Sequence, residues 1–277
     1  MNEISIEIVS NYDPRIINLL ESIREQNFQE YETVVATDCQ NLIDLIKDYD
    51  VKVVQTMSSG TLYRRMEAHK RSKSRKSLLL EASRFLHRNC LLELSQNNHD
   101  MIVVEEKDVG NGLIARLQNV ERSVSVHKTV KFSPKSLIVE PRVFSKPILD
   151  KAFLEIGDIP ESILLKIQYG DLDIIYHESF KVSQDVSRSD FPLIYHHTDE
   201  NIFELIKKYY NYGKSNRFIK MTKYSENFTL KNHFRPYYGI KESFQLYPLW
   251  LTKALSFGLG QYNPFSLRHN KKQLEFK

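Results

Sequence analysis

One stretch, Thr61 to Leu94, constrains the fold of this chain more than any other. It reads TLYRRMEAHKRSKSRKSLLLEASRFLHRNCLLEL: a basic amphipathic segment, the apolar run Ser77 to Leu80, the polar turn Glu81-Ala82-Ser83-Arg84, and a second amphipathic segment. That order predicts helix, buried strand, turn and helix. In an open α/β sheet, ligands gather in the crevice beyond the carboxyl ends of the strands, which makes Glu81 and Ser83 candidates for a site. The competing reading of the same acid is a solvated turn residue.

The segments before this stretch repeat its alternation. Ile4 to Val9 alternates as a strand and is broken by Ser10-Asn11-Tyr12-Asp13-Pro14, after which Ile16, Ile17, Leu19, Leu20 and Ile23 follow at helical spacing. Glu32 to Ala36 predicts a second strand, Leu42 to Ile46 a helix, Val51 to Val54 a third strand and Met57 to Gly60 a loop. After the stretch, Met101 to Val104 predicts another strand. Strands that alternate with helices imply right-handed βαβ units and a doubly wound α/β fold with a mainly parallel sheet.

The second half is less regular. Glu105 to Gly112 predicts an acidic loop and Leu113 to Val120 a helix, while Ser136 to Phe144, interrupted at Pro141, predicts an edge or bulged strand. Lys146 to Ile156 and Ser162 to Tyr169 predict short helices that lead into Gly170-Asp171-Leu172-Asp173. A short strand, Leu193 to Tyr195, ends in His196-His197, and Glu200 to Tyr212 predicts a helix. No repeat divides the chain.

With 277 residues, 41% of them hydrophobic, the chain can bury one large or two small cores. It has no run of about 18 uncharged apolar residues, so no transmembrane helix is expected, and its first residues do not read as a secretory signal. The two cysteines, Cys39 and Cys90, are too few for a disulfide framework and suit a reducing cytoplasm. The net charge of +4 is modest, but Arg64 to Lys76 and the tail after Arg268 are basic clusters that suit phosphates or plain solvation. Phe244 to Tyr262 gathers aromatics and leucines around one lysine, as an interfacial helix at the cytoplasmic membrane face does, and equally as a helix covering the core or a dimer partner does; Pro248 and two glycines are expected to limit its helical length.

Several of these segments, in order, carry a resemblance. SIEIVSNYDPRIINLLESIREQNFQEYETVVATDC, SSGTLYRRMEAHKRS, LLLEASRFL, GDLD and the later YHH and KKYYNYGKS resemble family 2 glycosyltransferases of the GT-A fold, closest to an archaeal-type branch, over about residues 4 to 220. The resemblance implies a GT-A domain over residues 1–222, with 223–277 an amphipathic, aromatic-rich extension. It also implies inverting transfer of a sugar from a nucleotide-diphosphate donor to a glycan or a polyprenyl-phosphate-type acceptor. Carried over residue by residue, Ser10, Asn11 and Tyr12 border the base and ribose, Asp38 approaches the uracil or ribose, and Arg65 contacts the diphosphate. Glu81 and Ser83 occupy the Asp-x-Asp positions that hold Mg²⁺ or Mn²⁺, and Asp171 is the general base.

The acidic motifs are degenerate. Ala36-Thr37 stands where the family has an acid pair, Glu81-Ala82-Ser83 replaces Asp-x-Asp, and Gly170 replaces the acid before Asp171. A departing diphosphate needs positive charge, supplied by a metal or by Lys and Arg side chains. An acceptor hydroxyl needs a base, and Asp173 competes with Asp171 for that role, while a helix cap is the bland alternative for either. The degenerate acids keep open a second function, a GT-A protein that binds a sugar nucleotide or a partner without transfer. A nucleic-acid partner is not expected, because the basic run lacks interleaved aromatics and gives way at once to a buried strand.

Overall fold

The computed structural model describes residues 3–128, 132–134, 140–198, 201–228 and 240–262. Part of the expected strand Ser136 to Phe144 and the basic tail at Arg268, His269, Lys271 and Lys272 lie outside the described residues.

The core is a mainly parallel sheet built around β1 (Ile4–Val9), every residue of which is buried. β1 pairs in parallel with β2 (Tyr31–Thr37) on one side and β4 (Lys76–Glu81) on the other, and β3 (Lys52–Gln55) extends the sheet beyond β2. β8 (Val143–Ser145) runs antiparallel between β4 and β6 (Met101–Val103), and β9 (Val186–Arg188) closes the far edge. A second, three-stranded sheet sits beyond the strand ends in the order β5 (Arg84–Leu86), β10 (Ile194–His197), β7 (Glu106–Val109).

The period of two along the strands decides which helix covers which face. Leu78 and Leu80 face a cluster with Ile6, Ile8 and the apolar residues of α1 (Ile16–Arg24), α2 (Gln40–Ile46) and α4 (Cys90–Gln96). Leu79 faces the opposite cluster, with Leu62 of α3 (Thr61–Arg71), Leu149 and Phe153 of α6 (Lys146–Ile156), and Leu172, Ile174 and Ile175 of α8 (Asp171–Val182). Helices on both faces of a mostly parallel sheet make the doubly wound layers expected from the alternation. The single-turn helix α7 (Glu161–Leu164) precedes α8, and α5 (Leu113–Lys128) lies against β7.

Four local expectations are corrected. Glu105 to Gly112 is not all loop, since it contains β7, and the turn after Glu81 leads into β5 before α4 begins. The segment Ser162 to Tyr169 holds only the end of α7, and α8 begins beyond it at Asp171. Finally, α10 (Ile240–Tyr262) runs through Pro248 and both glycines.

Tertiary contact explains that last result. The inner face of α10, with Leu246 and Leu249, closes on Leu205 of α9 (Ile202–Ile219), and backbone meets backbone where the helices cross. A Cβ at Gly213 would lie 2.0 Å from the Phe257 carbonyl oxygen, and one at Gly260 would lie 2.0 Å from that of Tyr210. Glycine is required at both positions by space alone. Gly258, by contrast, has nothing within 4 Å of its virtual Cβ.

Gly213→Ala or Gly260→Ala should therefore push the helices apart and destabilise the protein by about 1–3 kcal/mol, as overpacking of a close contact does. Gly258→Ala should be neutral or stabilising by up to about 1 kcal/mol through helix propensity. Thermal melts of the three variants test this, and equal melting temperatures would contradict the close crossing.

Candidate active site

Two consecutive arginines of α3 organise the carboxyl ends of the central strands. Successive helical residues point about 100° apart, so the pair serves two different groups. Arg64 donates from Nη1 to the Ser10 carbonyl at 2.9 Å and to Asn11 Oδ1 at 2.7 Å, and from Nε to the Ser58 carbonyl at 3.0 Å. Its Nη2 pairs with Asp38. Arg65 is fully buried, with Nη1 donating to the Glu7 and Leu80 carbonyls at 3.2 and 2.7 Å. Its Nη2 reaches Glu81 Oε1 at 2.6 Å and its Nε reaches Asp171 Oδ2 at 3.1 Å.

The second of these groups borders a cleft of about 620 Å³ between the strand ends and α9. Glu81, Ser83 and Asp171 line it, together with Arg84, Glu106, Asp108, Arg122, Arg142 and His196. Asp171 is placed by Gly170, which takes a φ of 77° as the residue before α8. This left-handed backbone is open to glycine at little cost and turns the chain so that Asp171 and Asp173 enter the first turn of the helix, where the macrodipole favours negative charge. Asp171 is thus not the cap residue.

The floor of the cleft is a buried network of alternating charge. Glu81 pairs with Arg84, and Arg142 Nη1 lies 3.2 and 3.4 Å from its two oxygens. Arg142 Nε donates to Glu106 Oε1 at 2.7 Å, and Arg122 reaches Glu106 at 2.5 Å and Asp108 at 2.8 Å. Burial opposes ionisation of Glu106, but Arg142, Arg84 and Arg122 hold it well below the usual carboxylate range. Burial, and then the Arg142 charge, bring Arg84 down to about 9. Burial and the Arg84 charge push His196 to about 3, so it is neutral and donates Nδ1–H to Asp108 at 2.8 Å.

The sequence candidates therefore divide. Glu81, Ser83 and Asp171 come together at the cleft, whereas Ser10, Asn11, Tyr12 and Asp38 do not line it. Ser10, Asn11 and Asp38 are gathered by Arg64, and Tyr12 stands 58% exposed beside them. Arg65 does not line the cleft either; it orients the two acids that do. Sequence reasoning missed Arg122, Arg142, Glu106 and Asp108. Their signal was charge next to apolar residues at Ile102-Val103-Val104 and Val143-Phe144, which only the second sheet makes meaningful.

The residues at the Asp-x-Asp position do not fit a divalent cation. Both oxygens of Glu81 are engaged by guanidiniums, from Arg65, Arg84 and Arg142, and Ser83 offers only a neutral hydroxyl. Among the described residues no three His, Cys, Asp or Glu side chains cluster as a metal-binding group. A dication at about 4 Å from each arginine would be repelled by roughly 8 kcal/mol per guanidinium at an effective dielectric constant of about 20.

No protein-family model matches the chain, and no curated protein matches its sequence. Solved structures do match its fold. The crystal structure of S. aureus TarS superposes with a TM-score of 0.52 at 16% identity, over 94% of this chain and 54% of TarS, so the chain spans about half the length of that protein. S. aureus TarS 1-349 in complex with UDP superposes with a TM-score of 0.51 at 17% identity, over 93% of this chain and 80% of that one. This chain has the GT-A glycosyltransferase fold, with a helical carboxyl-terminal part.

The neutral His196 gives the site a pH signature. The unfolded chain binds a proton at this residue below its ordinary 6.5, and the folded chain does not until about 3. Stability therefore falls as pH drops through that window, by about 2 kcal/mol between pH 7 and pH 5. Loss of the depressed carboxylates Glu106 and Asp108 adds in the same direction at lower pH. His196→Asn should flatten the upper part of the profile in urea titrations at pH 5 and 7; an unchanged slope would mean that His196 takes up its proton in the folded state.

Proposed function

We propose that this protein is an inverting, nucleotide-sugar-dependent glycosyltransferase of family 2 type. The observation that carries the reading is the bridge from Glu81 at the end of β4 through Arg65 to Asp171 at the start of α8, made at the mouth of a cleft in a GT-A fold. A buried guanidinium shared by two carboxylates fixes both while leaving each on the cleft wall. UDP occupies the TarS 1-349 structure of the same fold, so uridine diphosphate sugars are the first donors to test.

In this reading the acceptor hydroxyl gives its proton to Asp171 as its oxygen attacks the anomeric carbon. The bond from that carbon to the diphosphate oxygen breaks with its electron pair, and configuration inverts. The first turn of α8 and the Arg65 guanidinium hold this carboxylate on the cleft wall, where a base must sit. Ser10, Asn11 and Asp38, locked by Arg64, form the rigid loop edge against which a nucleoside would lie.

The acceptor is a glycan or a lipid-linked acceptor of polyprenyl-phosphate type, and the outer face of α10 favours work at a membrane surface. Phe244, Tyr247, Leu251, Leu255, Leu259 and Tyr262 are all exposed along it, at spacings of three and four residues. No described helix is long and apolar enough to cross a membrane.

Asp171→Asn should lower transfer from a UDP-sugar by about 10²- to 10⁴-fold, because proton abstraction is lost, while the rise in melting temperature on donor binding is kept. Retention of full rate with a hydroxyl acceptor would remove Asp171 from the role. Leu251→Ser together with Leu255→Ser should abolish sedimentation with anionic phospholipid vesicles and leave donor binding intact; binding to vesicles that survives the pair would remove α10 from the contact.

A further inference from the structure

The arginines that exclude a cation from Glu81 are themselves placed to do its work. Arg84 and Arg142 are each only 7% exposed, and both line the cleft. Each spends Nε on Glu106 and Nη1 on Glu81. Among the described residues the remaining amino group of each, Nη2, has no hydrogen-bond partner, and neither atom is a buried orphan. Two planar, nearly buried guanidiniums thus keep an outer donor edge toward the cleft, held in place from behind by Glu106. Arg122 backs the same carboxylate from α5.

We propose that Arg84 and Arg142 bind the diphosphate of the donor directly and stabilise its departure, so that this protein transfers sugar without a divalent cation. The inference rests on the glycosyltransferase reading and deepens it. Guanidiniums suit the task because they stay charged and present paired donors that match phosphate oxygens, and preorganisation by Glu81 and Glu106 means little rearrangement as charge develops. When the bond to the anomeric carbon breaks, the electron pair goes to the diphosphate oxygen, where these donors meet it. Arg65 cannot share the role, since all its hydrogen bonds run to Glu7, Leu80, Glu81 and Asp171 inside the protein. A cation would have to use other acids of the cleft, such as Asp173 and Glu204.

Calorimetric titration with UDP, a UDP-sugar panel and inorganic pyrophosphate, each in EDTA and in Mn²⁺, tests the proposal. UDP, at least one UDP-sugar and pyrophosphate should bind in EDTA about as tightly as in Mn²⁺. Arg142→Gln should weaken all of these by about ten- to a hundredfold, the worth of a charge-assisted hydrogen bond. Arg142→Lys keeps the charge but not the fork, and should show part of the same loss with its melting temperature preserved, which separates binding from folding if the glutamine variant unfolds. Binding that appears only with Mn²⁺ would overturn the metal-free site and leave the glycosyltransferase reading standing. Pyrophosphate binding in EDTA with no UDP-sugar bound in either condition would support the anion site and overturn the donor reading. Binding of none of the probes would overturn both.

Discussion

The structure depends on one chain of alternating charges that runs from Asp108, which accepts from the neutral His196, through Arg122, Glu106, the pair Arg84 and Arg142, Glu81 and Arg65 to Asp171. His196 and the members of the chain come from β10, β7, α5, β5, the approach to β8, β4, α3 and α8. Hydrophobic burial can press the large sheet against its helices, but it cannot say how the small sheet should sit on the strand ends. The charges do, because each buried carboxylate has its partner only in this arrangement. Leaving one partner uncompensated in such a site costs about 3–5 kcal/mol, which makes the network a specification of geometry more than a source of stability.

The same network explains what could be read from the sequence. β1, β2, β4 and the helices between them were legible because their apolar periods are strong and local. Glu81 was a candidate because a strand end marks it, and Asp171 because GDLD resembles the family's base motif; both line the cleft. Arg64 to Lys76 read as a basic cluster open to phosphates or to solvent, yet Arg64, Arg65, His69 and Lys76 are buried. Each is sealed by a partner far along the chain: Asp38, Asp171, Asp150 and the carbonyls of Leu94, Ser95 and Asn97. Pairing of that kind has no periodicity. β5 and β7 escaped for a related reason: they are short and polar on the side that faces the site, and they exist as strands because β10 bridges them.

α8 and α10 fail in opposite directions. α8 opens on a glycine and two acids, read as a base motif or a helix cap, while the helix that continues to Val182 went unread. α10 contains a proline and two glycines, which weaken any isolated helix, but two of those three residues lie on the inner face or beside solvent for reasons of packing rather than of propensity. Gly260 is needed for the crossing, and Pro248 sits on the exposed side.

That crossing has a consequence for how the protein can change over time. α9 carries Lys207, Lys208, Tyr209 and Tyr212 on the far wall of the cleft, and α10 contributes Lys253. With main chain seated on main chain at Gly213 and Gly260, the span of the cleft is gauged by peptide planes instead of by rotamers. Side chains on the outer surface of α10 can then change in size and polarity without altering the width of the cleft, so the outer surface of the helix and the wall of the cleft can diversify independently.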